Sequence, residues 1–214
     1  MKILNRLHMI VSLIKDIIIH PKKAFVEITE NEKEYFGIAL IIVGIQVIVG
    51  LFEFGSTMSL LVPETENKTI GYQFYFIIST ISAAFVGAWL VLKISKKLNK
   101  TQSNFRRVFS AIQFSFVPSL LIGAPIQAII VALFSENITM ENFIGSILII
   151  AAINIPFAIW GIILWIMACK QSLQLDTADV IAVAILAMII MAVFFIPISI
   201  LLTGSPIQEG WFEI

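Results

Sequence analysis

Five stretches of this chain stay apolar long enough to cross a bilayer, and the polar segments between them are short. From hydropathy the stretches are Tyr35–Phe52, Ile70–Leu92, Val108–Phe134, Phe143–Cys169 and Ala178–Leu202. At 1.5 Å per residue they match a hydrocarbon core of about 30 Å, the first only barely. Charged side chains keep to the edges, where Glu53, Lys93 and Asp179 sit. The pattern predicts an all-α fold: a polytopic integral membrane helical bundle of five transmembrane helices, preceded by an N-terminal amphipathic interfacial helix.

That leading helix is read over Ile3–Ile19. Ile3, Leu7, Ile10, Ile14 and Ile17 recur at helical spacing, and Leu4, Val11 and Ile18 widen the stripe. Lys2, Asn5, Ser12, Lys15 and Asp16 fall on or near the other side. A helix of this kind with a basic flank lies in the membrane interface; packing beneath the bundle is the alternative. Pro21 stops it, since proline lacks the backbone donor and biases His20 away from helix. Residues 21–34 then read as a solvated connector from which Phe25 and Ile28 can tuck into the bundle. One membrane domain covers 1–214: a cytoplasmic lead (1–34), the spans (35–202) and an outer tail (203–214).

Composition agrees, because 214 residues with 59% hydrophobic and 13% charged content are too apolar for an ordinary soluble domain. Charge adds an orientation. Fourteen basic residues balance fourteen acidic ones, but among Lys and Arg only Lys68 falls on the side holding the 53–69 loop. Cytoplasmic loops collect Lys and Arg, so the N-terminus is expected inside and the C-terminus outside. The acidic residues divide evenly, leaving the inner face basic. Asn67-Lys68-Thr69 and Asn137-Ile138-Thr139 match the glycosylation acceptor pattern on the outer side, and Asn99-Lys100-Thr101 matches it inside, where it has no use.

Polar residues within the spans are few: Gln46; Ser79, Thr80 and Ser82; Gln113, Ser115 and Gln127; Asn154. Their plainest role is helix–helix adhesion, and Ser79, Ala83 and Gly87 form a small-residue stripe for close packing. Pro118, Gly123 and Pro125 predict a kink or break in span three, and Pro156 does the same in span four beside Asn154. Gln46, Gln113, Gln127 and Asn154 are the candidate intramembrane polar cluster. Interrupted helices with nearby amides also recur in transporter sites.

Catalytic chemistry finds no footing. No Ser-His-Asp, paired-carboxylate, His-rich or Gly-rich phosphate pattern is present, so no catalytic, cofactor or metal residue is expected. His8 and His20 lack partners at metal-ligand spacing. The lone Cys169 makes no intramolecular disulfide, and as the inner end of span four it is expected to react with permeant thiol reagents. Charges at Lys2, Arg6, Lys15 and Asp16 break up any signal-peptide core.

Three segments carry a family resemblance. They are His20-Pro21-Lys22-Lys23-Ala24-Phe25 before span one, the loop Lys100-Thr-Gln-Ser103-Asn-Phe105-Arg106-Arg107-Val108-Phe-Ser110-Ala111, and the exit Cys169-Lys170-Gln171-Ser172 to Thr177. With Pro118 following Val108, the chain resembles the Yip (Ypt-interacting protein) family over nearly its whole length. The resemblance implies five spans with N-in and C-out, and an integral membrane protein without known catalysis. Eukaryotic members bind Rab-type GTPases in vesicle traffic. This chain lacks their acidic-leucine-glycine-proline motif and long N-terminal region, and has Asn99 and Lys100 where glycines are usual. The expectation is a prokaryotic plasma-membrane member.

The expected function is non-enzymatic: organising lipid or recruiting a partner through a basic cytoplasmic face of Lys96, Lys97, Lys100, Arg106 and Arg107. Membrane lipids, a cytoplasmic protein and homo- or hetero-oligomers are the expected partners, with no nucleic acid. The alternative is a small-solute or lipid permease using the broken third span, against which no span carries a coupling charge in its interior.

Overall fold

The computed structural model describes the backbone of residues 2–61, 66–99, 101–135 and 143–203, and the side chains of 8–52, 73–98, 101–129, 132, 152 and 155–194. Within these residues the fold is helical: α1 (Lys2–Ile19), α2 (Pro21–Glu30), α3 (Glu32–Leu61), α4 (Glu66–Asn99), α5 (Phe105–Ser115), α6 (Ala124–Ser135), α7 (Phe143–Leu173) and α8 (Thr177–Thr203). Five segments are long and apolar enough to cross a membrane, and the chain is a multi-pass membrane bundle. The helices outrun the hydropathy boundaries because helix continues into water where charge ends the apolar run. Glu32 and Glu34 open α3, and Lys96 and Lys97 close α4, each sign favoured by the helix dipole at that end.

The lead differs from the solvated connector expected for 21–34. Pro21 ends α1 but also starts α2, standing at its first helical position. There the missing N–H would have had no partner, and the fixed φ suits a helix. Ala24, Phe25, Ile28 and Thr29 are buried, while Lys22, Lys23 and Glu30 remain exposed. α2 packs on α7 and α5. Tyr35 then ties α3 back to α2, its hydroxyl donating to Glu27 Oε1 at 2.7 Å.

α1 packs against α2 by a seam narrower than its stripe. Leu13 and Ile17 are buried and Met9 and Ile14 pack beside them, whereas Val11 and Ile19 are 60% and 54% exposed. A helix with one main neighbour covers one edge only, so among the described stripe residues Ile17 is buried, Ile10, Ile14 and Ile18 are half-buried and Val11 stays outside. Lys23 Nζ lies 3.0 Å from Asp16 Oδ2, and His20 Nδ1 is 3.6 Å from Oδ1. The hydrogen bond from Lys23 holds the Asp16 carboxyl below the usual carboxylate range. A carboxyl lowered on folding stabilises above its unfolded value of about 3.9 and loses that contribution as pH falls through the lowered value. Spin labels on α1 and α2 should therefore separate below about pH 4, modestly, since exposed pairs are weak.

Span three is the axis. Its central window is 56% buried, against 22% in each of the other four, and α5 packs on α2, α3, α4 and α7. Phe109 is fully buried, with ring centroids 5.5 Å from Phe36, 4.8 Å from Phe85 and 5.4 Å from Phe105. The predicted break is observed. α5 stops at Ser115, Phe116 makes a turn, and Ser119–Gly123 is a π-helical turn leading into α6. Pro118 cannot donate to the carbonyl four residues back, and the wider π turn takes up the mismatch.

The inner ends are fixed by side-chain bonds to backbone. Thr101 Oγ1 donates to the Leu173 carbonyl and Ser103 Oγ to that of Ser172, both at 2.6 Å. These satisfy carbonyls that the end of α7 leaves without helical partners. Gln174, at φ 59°, turns the chain through the left-handed region. Asp176 Oδ1 accepts from the Asp179 N–H at 2.9 Å and caps α8. Asn104 caps α5 by accepting from the Arg107 N–H at 3.0 Å, and its Nδ2 donates to both Glu32 oxygens at 2.8 Å. The three segments behind the family resemblance thus meet at one end of the bundle.

Candidate functional site: a basic inner end and an intramembrane cavity

One end of the bundle gathers basic residues onto the junction of α4 and α5. Lys93, Lys96 and Lys97 are exposed on the last turns of α4, and none makes an ion pair among the described residues. Lys93 Nζ stands 5.7 Å over the Trp89 ring, and the Arg106 guanidinium 5.7 Å over Phe36. Arg106 is exposed, whereas Arg107 is half-buried and its Nε has no hydrogen-bond partner. Lys100 lies outside the described residues. Lys170, on α7 nearby, donates to Thr177 Oγ1 at 3.1 Å. Four of the five basic residues singled out in sequence therefore share this end, three in water and one partly withdrawn.

Cys169 departs from the sequence reading. It is completely buried, because the exit of α7 is covered by α2 and α5 rather than by water.

Within the membrane layer lies a cavity of about 730 Å³ between α3, α4, α5, the π turn, α6, α7 and α8. Gln46, Gln113 and Gln127 all line it, so the structure brings together three of the four polar residues grouped in sequence. The side chain of Asn154 lies outside the described residues. Among the described residues no hydrogen bond joins these groups across helices. Gln113 is 1% exposed and its Oε1 has no hydrogen-bond partner. Ser79 and Ser115 donate to carbonyls of their own helices, at Phe76 and Ile112, the local alternative open to short hydroxyl side chains.

The small-residue stripe likewise has a different use. Ala83 and Gly87 line the cavity, and a Cβ built on Gly87 would meet no atom within 4 Å. Ala84, Ala88 and Val91, the buried residues next to this stripe on α4, line the same cavity. Sequence reasoning missed the cavity itself. The one available signal was the coincidence of small residues on α4 with amides on α3 and span three, which register along one helix cannot reveal.

A family model for the Yip1 domain matches residues 15–198. No curated protein and no solved structure matches the chain. The match begins in α1, takes in α2 and all five candidate spans, and ends in α8. This chain therefore belongs to the Yip1 domain family.

Proposed function

We propose that this protein is a non-enzymatic organiser of the plasma membrane that holds anionic lipid or an acidic partner against its basic inner end. The observation that supports this is the exposed, unpaired row Lys93, Lys96 and Lys97 beside Arg106. A cation at a membrane surface attracts anionic lipid by about 1 kcal/mol, and unpaired side chains keep that capacity. The charge bias orients this end to the cytoplasm, with the C-terminus outside.

Joint replacement of Lys96, Lys97, Lys100 and Arg106 by Gln tests the reading. Arg107 is left alone because its side chain is half-buried. In nanodiscs of mixed neutral and anionic lipid, the enrichment of anionic lipid around the protein should fall when these cations are removed. Salt should weaken the wild-type enrichment, with a screening length near 10 Å at 0.1 M. Unchanged enrichment by a correctly oriented variant would leave the basic end as a topology signal only. The permease alternative demands a solute flux across reconstituted vesicles.

A further inference from the structure

We propose that the intramembrane cavity is a binding site for a neutral, hydroxyl-bearing lipid such as a diacylglycerol, independently of what the basic end does. Four observations converge on that chemistry.

The first is shape. Along α4 the cavity runs from Phe76 to Val91, about 22 Å at 1.5 Å per residue. That is longer than one leaflet's share, about 15 Å, of a core of about 30 Å, so the space suits an extended chain better than a compact solute. Its volume is also within the usual range for ligand sites.

The second is access. Phe116 and Met188, both on the wall, are 40% and 61% exposed. At this depth exposure means contact with acyl chains, so the cavity opens sideways to the bilayer and is filled from lipid.

The third is charge. Among the described residues no Lys, Arg, His, Asp or Glu lines the cavity. A phosphate drawn inside would be a buried charge without a counter-ion, which is costly. The head group must therefore be neutral.

The fourth is the unsatisfied amide. Gln113 lines the cavity and is 1% exposed; its Oε1 has no hydrogen-bond partner among the described residues and touches no open space, so it gains a partner when the side chain turns toward the cavity. Buried polar atoms are nearly always paired, and an exception calls for a partner. A hydroxyl both donates and accepts, so it can pair with this amide whichever way the amide is turned. Gln113 lies seven residues beyond Arg106, about 10 Å into the membrane from the basic end. A glycerol hydroxyl can reach that depth once relieved of a charged head group, leaving its chain to follow α4.

The test uses the full chain in nanodiscs and a diacylglycerol with a photoactivatable diazirine in one chain. Labelling of α4 and α5 should saturate, and unlabelled diacylglycerol should compete while phosphatidylglycerol should not. Gly87→Phe fills the cavity without a clash at its Cβ and should reduce saturable labelling at least tenfold. Gln113→Leu keeps the bulk and removes the amide, and should weaken competition by roughly 2- to 10-fold, the range of one neutral hydrogen bond. Equal competition by phosphatidylglycerol, or full labelling of Gly87→Phe, would overturn the site. A Gln113→Leu protein that binds like wild type would overturn the hydroxyl-bearing class. Should that variant fail to fold, a diacylglycerol analogue with its hydroxyl replaced by hydrogen makes the same measurement on the native protein. Competition equal to that of diacylglycerol would be the overturning result.

Discussion

Replacing Phe25 with alanine should destabilise the protein by about 3–5 kcal/mol, the usual cost of emptying a large aromatic site in a packed core. Phe25 has no exposed surface and sits on α2, which packs on both α7 and α5. The cavity left there cannot close by a local shift, because Ala24 and Ile28 on either side are also fully buried. Two controls separate this from a general effect of changing the lead. Lys22→Ala lies on the exposed face and Val26→Ala on a half-buried one, so the first should cost within about 0.5 kcal/mol and the second an intermediate amount. Thermal unfolding in detergent, followed by loss of the monodisperse species, reads all three. An undisturbed Phe25→Ala protein would mean that α2 is a passenger on the bundle.

The second large effect is all-or-none. A single cysteine at Lys97, in a Cys169→Ala background, should react in intact cells with a permeant maleimide and resist an impermeant one. A cysteine at Ser205 should react with both. The charge bias demands this outcome, and the five candidate spans place the two positions on opposite sides. Protection of Ser205 from the impermeant reagent would refute the odd span count. The unsubstituted protein is a separate control: its Cys169 is completely buried and should label only after denaturation.

The five spans were legible because lipid demands long apolar helices, and 1.5 Å per residue converts that demand into sequence length. The break in span three was legible for a covalent reason: Pro118 has no N–H to give. The helix of α2 was obscured by the same residue. A proline ends one helix and begins the next with equal chemical ease, and only the burial of Phe25 and Ile28 decides that residues 21–30 are the second. The face of α1 could be read to within an edge, but Leu13 at its buried centre was not singled out, since choosing a seam within a wide stripe needs the neighbour's surface. Gln46, Gln113 and Gln127 were visible as isolated amides. Their meeting around one space depends on how α3, α4 and span three cross, which no single-helix pattern encodes.

The docking of α2 also sets an order of events during synthesis. Phe25 leaves the ribosome well before the helices it is buried against are complete, for α7 ends at Leu173. At about 5–20 residues per second that interval is roughly 7–30 s. Throughout it, the face of α2 that packs on α5 and α7 has no finished protein surface to cover it. The membrane surface is the nearest apolar phase, and an amphipathic lead can rest there until its seat is built. The exposed Val11 and Ile19 leave on α1 an apolar edge suited to that phase.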